Sequence, residues 1–274
     1  MSKRTSTDPQ YLTKVQYKDA SKLNARIQLH KRFSVNKYDW QQWVFDRLRV
    51  PVSGHLLEIG CGSGQLWTSN RDRIPAGWQI VLSDLSTGMI QEVRANLKGG
   101  RNQLSFTGLD IQALPFEGGV FDVVVANHML YHVPDRRRAL SEVHRVLKQG
   151  GRFYAATNGQ RSMVALFELM ERFDPSVEQD HAPAVMAASF DLETGKDQLL
   201  QVFSQAVLHR YEDALVVTEV EPLADYAFSM GRFQAIRERR TEFIKFLERE
   251  LAVQGGAIHI EKATGLFEAY NDIE

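Results

Sequence analysis

The 274-residue chain has one cysteine, no long apolar run and almost no net charge. Each scarcity excludes something. A lone Cys61 cannot build an intrachain disulfide framework. The first thirty residues are polar and lack the apolar core of a secretory signal, so a cytoplasmic location is expected rather than export. No stretch approaches the roughly 18 apolar residues of a membrane span, so no membrane partner is expected. A formal net charge of −1 argues against a chain whose main partner is a nucleic-acid backbone. Internal repeats, low-complexity blocks and a metal-ligand pattern are also missing.

What is present is an ordinary globular composition, 43% hydrophobic and 24% charged, which argues against large-scale disorder. The charge is unevenly placed. Residues 1–50 carry eleven Lys and Arg against four Asp, an excess of seven positive charges. That excess suits a solvated helical face, or a collar that attracts an anionic substrate.

Residues 1–10 are expected to be disordered. Leu23, Ile27, Leu29 and Phe33, then Trp40, Trp43, Phe45 and Leu48, recur at helical spacing and predict two helices within Lys18–Trp43, ended by Pro51 and Gly54. Short apolar runs follow at His55–Ile59, Trp78–Leu82, Leu104–Phe106, Phe121–Ala126 and Arg152–Ala156, with helical stretches between them, among them Thr87–Leu97 and Asp135–Lys148. Strands alternating with helices predict crossover units and a mostly parallel sheet covered on both faces. After Asn158 the rhythm breaks. A helix over Arg161–Phe173, the Pro-containing segment Asp174–Pro183 and a helix over Leu192–Phe203 look like an insertion above the sheet's carboxyl edge. A strand over Val207–Val217, helical Glu221–Ala252 and a strand pair at Ala257–Ala263 and Leu266–Tyr270 complete the chain. The fold class expected is α/β, a doubly wound, mostly parallel, seven-stranded Rossmann-like sheet. Residues 1–50 form an N-terminal helical lid on a domain over 51–274, and 160–205 is a substrate-capping insertion.

The first apolar run opens into "HLLEIGCGSGQLW", with Gly60, Gly62 and Gly64 behind Glu58. A strand feeding such a turn brings backbone close to a ligand at the sheet's carboxyl edge. The dinucleotide fingerprint G-x-G-x-x-G does not fit, because Gln65 and Trp67 stand where its last glycine would be. A nicotinamide-dependent dehydrogenase is therefore a distant reading. Asp84 closes "VLSD" 20 residues after Gly64, a second acid at a strand end.

The pattern of Glu58, Gly60, Gly62 and Gly64 resembles motif I of the class I S-adenosylmethionine-dependent methyltransferases, of the small-molecule type similar to the UbiE/methyltransferase-11 group. "VLSDLSTGMI", "FTGLDIQALPF", "FDVVVANHMLYHV" and "RVLKQGGRFYAAT" resemble the family's next four motifs in order, so the resemblance covers about residues 38–160. It implies S-adenosyl-L-methionine as cofactor. Glu58 would lie near the amino-acid end, Gly60, Cys61, Gly62 and Gly64 under the sugar and methionine, Asp84 and Leu85 at the ribose, Asp110 and Ile111 at the adenine, and Met89, Asn127 and Tyr17 nearby. Cys61 suits packing more than chemistry, and Met89 suits the core with an edge toward the adenosine; Gly62 and Gly64 could serve only the turn, and Asp84 and Asp110 could cap the helices that follow.

The loop after the fourth strand supplies the catalytic candidates. His128 is the leading general base; His132 could instead pack beneath the following helix, and Tyr131 could orient an acceptor or fill the interior. Substrate contacts are expected from Tyr11 and His30 in the lid and from Met163 and Phe167 in the insertion, whose Met163, Leu166, Phe167 and Met170 stripe also suits a core. Arg26 and His30, four apart, share one helical face. Asn127-His128-Met129-Leu130 departs from the N/D-P-P-Y/F motif of methyltransferases that act on DNA base amines, so DNA is not expected as a partner. A small-molecule acceptor is expected, from a monomer or homodimer. An RNA or protein acceptor reached through the basic N-terminal region, and a non-catalytic S-adenosylmethionine-binding protein, are the alternatives.

Overall fold

The computed structural model describes residues 7–99, 103–176, 190–230 and 234–271. Seven strands, β1 (His55–Ile59), β2 (Gln79–Asp84), β3 (Gln103–Gly108), β4 (Phe121–Asn127), β5 (Leu147–Asn158), β6 (Gln205–Val217) and β7 (Ile258–Tyr270), form one sheet in the order β3-β2-β1-β4-β5-β7-β6. The first five run parallel, and β7 is antiparallel to both its neighbours. The order reverses between β1 and β4, the place where open α/β sheets bind ligands.

The strand sequences are near-continuous apolar runs because both faces are buried. Leu57 and Ile59 of β1 with Val124 and Ala126 of β4 pack on one face, beneath Ala139, Leu140 and Val143. Leu56 of β1 with Val123 and Val125 of β4 pack on the other, beneath Trp43, Trp67 and Val93. Alternation along each strand therefore feeds two cores, each fully buried aliphatic side chain contributing roughly 1.5–3 kcal/mol.

The helices are α1 (Ser21–Phe33), α2 (Trp40–Phe45), α3 (Gln65–Ser69), α4 (Thr87–Asn96), α5 (Arg136–Val146), α6 (Val164–Phe173), α7 (Gly195–Leu199), α8 (Val220–Ser229), α9 (Gln234–Glu238) and α10 (Arg240–Val253). Side-chain caps start several of them: Asp39 accepts from Gln41 N and Gln42 N, Ser86 from Met89 N, and Asp135 from Arg138 N.

Several expectations are corrected. Of the segment expected to be disordered, residues 1–6 lie outside the described residues, whereas Pro9–Tyr11 are helical behind an Asp8 cap and Leu12–Gln16 form a π-helical turn. Ala257–Ala263 and Leu266–Tyr270 are one strand, not a pair. All thirteen residues of β7 pair with β6, while β5 pairs only with 264–270. The outer halves of β6 and β7 therefore run past the sheet as a two-stranded ribbon. The helix expected over Leu192–Phe203 is confined to α7, and α6 begins only after Met163, whose φ of 65° breaks the turn before it. The stretch Glu221–Ala252 is three helices, since α8 ends at Ser229. Of the Asp174–Pro183 segment, 177–183 lie outside the described residues.

The ribbon carries a third core. Leu215 and Val217 of β6 and Ile258 and Ile260 of β7 join Leu29 and Phe33 of α1, Leu166, Leu169 and Met170 of α6, and residues of α8 and α10. The insertion is thus one part of a cap that also contains the first and last helices. Ser34 bridges to Leu215, which adds the N-terminal segment to the ribbon's edge.

Candidate active site

At the carboxyl edge of β1, Gly60 and Gly62 adopt φ of 70° and 54°, the left-handed region that favours glycine. A Cβ at Gly60 would also fall 2.9 Å from Met129. The turn is locked to the next strand: Gly62 N donates to Asp84 Oδ2 at 3.0 Å and Ser86 N to Asp84 Oδ1 at 2.8 Å. Each carboxylate oxygen keeps a second lone pair. Burial raises the Asp84 pKa, against the pull of those N–H groups. Glu58 is buried beneath the turn, accepting from Trp67 Nε1 at 2.6 Å and Asn127 Nδ2 at 3.3 Å. Burial pushes its pKa up to about 7, although both bonds work the other way. The Asn127 Oδ1 is left buried without a partner.

These groups open on a cavity of about 880 Å³ between the strand ends and the cap. Of the expected cofactor residues, Tyr17, Glu58, Gly60, Cys61, Gly62, Asp84, Leu85, Met89, Asp110, Ile111 and Asn127 line it. Gly64 does not. It starts α3, and a Cβ there would sit 2.5 Å from Val93, so its smallness serves the packing of α3 on α4. The expected catalytic residues His128, Tyr131 and His132 line the cavity, as do His30 and Met163. Tyr11 and Phe167 are not brought to it: Phe167 packs against the cap's core, and the Tyr11 hydroxyl faces Gln16 at 3.5 Å. Asp110 also closes a turn, Gln112 N donating to its Oδ1 at 2.9 Å, but it caps no helix, since β4 is the next element.

The histidines divide by environment. His128 has a φ of 53°, and its N–H donates to Ala156 O at 2.9 Å. Burial, with Lys262 adding, lowers its pKa to about 4, so the imidazole is neutral at pH 7 and a weaker base than an exposed histidine. His132 is not sealed beneath the next helix: its Nε2 lies 3.0 Å from the Tyr17 hydroxyl, which joins the N-terminal segment to the loop after β4. Tyr131 packs edge-on against His132, and burial pushes its hydroxyl far above the ordinary phenol range. The cavity also recruits Trp40, Tyr226, Lys262 and Arg26. Only Arg26 had a signal, its four-residue spacing from His30; the others come from distant segments with no shared motif.

Residues 57–155 match the methyltransferase-domain family Methyltransf_11. The demethylmenaquinone methyltransferase of Lactococcus lactis is 32% identical over 137 residues, 49% of this chain and 52% of that protein. The ubiquinone/menaquinone biosynthesis C-methyltransferase UbiE of Pectobacterium carotovorum is 29% identical over 115 residues, 41% of this chain and 46% of that protein. The chain spans about half the length of the curated relatives it matches. Two solved structures agree on the fold at 17% identity. The Bacillus subtilis YcgJ protein has a TM-score of 0.56 over 85% of this chain and 98% of its own. The Haemonchus contortus phosphoethanolamine N-methyltransferase 2, solved with S-adenosyl-L-methionine, has 0.59 over 97% and 60%. The family match stops within β5, and β6, β7 and α6–α10 lie beyond it.

Proposed function

We propose that the chain is an S-adenosylmethionine-dependent methyltransferase that carries a methyl group to a small-molecule acceptor. The observation that carries this reading is the single cavity wall in which the left-handed Gly60 and Gly62, the carboxylate of Asp84 and the unpartnered Asn127 Oδ1 converge. These groups fit the cofactor: side-chain-free backbone for close approach, an acid for ribose hydroxyls, and an orphaned acceptor for an amino group. Asp110 and Ile111 would flank the adenine, and Glu58 would sit beneath the amino-acid end. Tyr17 and the N-terminal segment would close over it as a lid.

S-Adenosylmethionine supplies the methyl on a sulfonium, and in an in-line displacement the acceptor's electron pair forms the new bond as the carbon–sulfur bond breaks toward sulfur. The protein's task is to aim the acceptor and, where the acceptor carries a proton, to take it. Neutral His128 is the base placed for that, with Tyr131 and His132 orienting the acceptor. The two curated relatives are named a demethylmenaquinone methyltransferase and a ubiquinone/menaquinone biosynthesis C-methyltransferase, but each matches less than half of this chain, so the acceptor is not carried over from them.

Isothermal titration tests the reading. S-Adenosylmethionine binds the wild type, and Asp84→Ala lowers its affinity at least tenfold, the loss of charge-assisted hydrogen bonds. Asp84→Asn, which keeps one of the two acceptor oxygens, shows a smaller loss. Unchanged affinity in Asp84→Ala would remove the site assignment, and binding without transfer to any extract would leave a non-catalytic binding protein.

A further inference from the structure

Of the acids on the cavity wall, Glu58 and Asp84 lie at the ends of β1 and β2, Asp110 just past β3 and Asp39 at the start of α2; of the cations, Arg26 and Lys31 come from α1, Lys37 from the link after it and Lys262 from β7. Lys262 is already matched, its Nζ 2.6 Å from the buried Asp213 carboxylate. Arg26 is not. Its Nε donates to Ser229 Oγ at 2.9 Å and one terminal nitrogen to Ser229 O at 3.1 Å, and no carboxylate forms an ion pair with it among the described residues. Its neighbours are instead the neutral phenols Tyr17, Tyr226 and Tyr131, the first of them in hydrogen-bond contact with it.

A guanidinium is protonated at any physiological pH, and holding one in a partly buried wall of neutral rings is costly until an anion completes it. One turn along α1, His30 lines the same cavity with its Nδ1 buried and without a hydrogen-bond partner. Its ring stacks edge-on against Tyr226 at 5.7 Å. Burial keeps that imidazole neutral, so it offers one N–H and one lone pair rather than a second positive charge. A planar fork with donors to spare and an unused imidazole nitrogen, set among aromatic rings, match the forked oxygens of an anion on a flat or apolar body.

We propose that Arg26, with His30 beside it, is the subsite for an oxyanion of the methyl acceptor, a carboxylate or a phosphate on a small aromatic or apolar molecule. The inference rests on the methyltransferase reading above.

A small-molecule extract divided on an anion-exchange resin, each fraction incubated with the full chain and methyl-labelled S-adenosylmethionine, tests it. Label is expected in products of the retained, anionic fraction. Phosphatase treatment of that fraction abolishes transfer if the oxyanion is a phosphate monoester and leaves it intact if it is a carboxylate. Arg26→Gln raises the amount of retained fraction needed for half-maximal rate by about tenfold or more, with S-adenosylmethionine affinity unchanged. Arg26→Lys, which keeps the charge but not the fork, recovers part of it. Label confined to the unretained fraction, or the same half-saturation in Arg26→Gln, overturns this inference and leaves the methyltransferase reading standing. Label in neither fraction, with the cofactor bound, overturns both.

Discussion

At the residue scale the site holds an acid in a state that costs the fold. Glu58 has a folded pKa of about 7 against an ordinary 4.5. A carboxyl whose folded pKa is raised leaves stability untouched below its unfolded pKa and subtracts from it as pH climbs through the folded value. The window is therefore pH 4.5 to 7, with the full cost above it, about 3 kcal/mol by linkage. Glu58→Gln removes the charge while keeping an oxygen for Trp67 Nε1, and its new NH2, in place of the oxygen that accepts from Asn127 Nδ2, can donate to Asn127 Oδ1 once that amide turns over. The variant should match the wild type near pH 4.5 and melt higher at pH 8. Equal or lower melting at pH 8, read by calorimetry, would show that the carboxylate is not strained there. Little of this is visible in sequence. Glu58, Asp84 and Asp110 stood out because strand ends and a glycine turn place them by position alone, whereas Gly64 looked identical to Gly62 in spacing and turned out to pack on Val93. Which glycine faces a ligand depends on the helix opposite, and that helix is remote in sequence.

At the scale of elements the β6–β7 ribbon is the piece that local patterns misrepresent. Thr264-Gly265 interrupts the apolar rhythm of β7 and looks like a turn. In the sheet it is continuous strand, and a Cβ on Gly265 would lie 2.8 Å from His209 O, so the residue answers a close approach of backbone. The ribbon is pinned where it leaves the sheet. Asp213 pairs in register with Lys262, its carboxylate bonding Lys262 Nζ, Ser34 Oγ and, at 2.9 Å, Asn36 N. One buried acid thus ties both strands to the link between α1 and α2. Burial disfavours its charge, yet Lys262, Ser34 and Asn36 together hold its pKa below the ordinary value, so its contribution is present above about pH 4 and lost on further acidification. Removing one partner of a buried pair strands the other. Asp213→Ala should cost about 3–5 kcal/mol, and Asp213→Ala with Lys262→Met should recover a large part of it. A denaturant midpoint unchanged in Asp213→Ala, at constant slope, would deny the pair that role.

At the scale of the whole molecule the legible and illegible parts coincide with two levels of contact order. Residues 55–158 build the sheet's parallel half from neighbouring βα units, each with its own turn and cap signals, and there pattern and structure agree. The cap joins α1, α6, α8 and α10 to the far ends of β6 and β7, so Arg26, His30, Met163, Tyr226 and Lys262 meet on one wall with no motif to announce it. The cap has its own core but no break from the sheet, because β6 and β7 run unbroken through both. It should therefore unfold with the sheet in one transition. The tryptophans allow a direct test. Trp40, Trp43, Trp67 and Trp78 are all the chain has, and every one belongs to the sheet's α3–α4 face, none to the cap. Tryptophan fluorescence then reports the sheet, while far-UV circular dichroism adds the cap's helices. The two melting curves should coincide. S-Adenosylmethionine at a hundredfold excess over its dissociation constant, which stabilises by about 2.7 kcal/mol, should move both upward together by about 5–10 °C. A helical signal lost before the fluorescence changes would mean that the cap melts alone. A ligand shift confined to fluorescence would mean that the cofactor engages the strand ends without the cap.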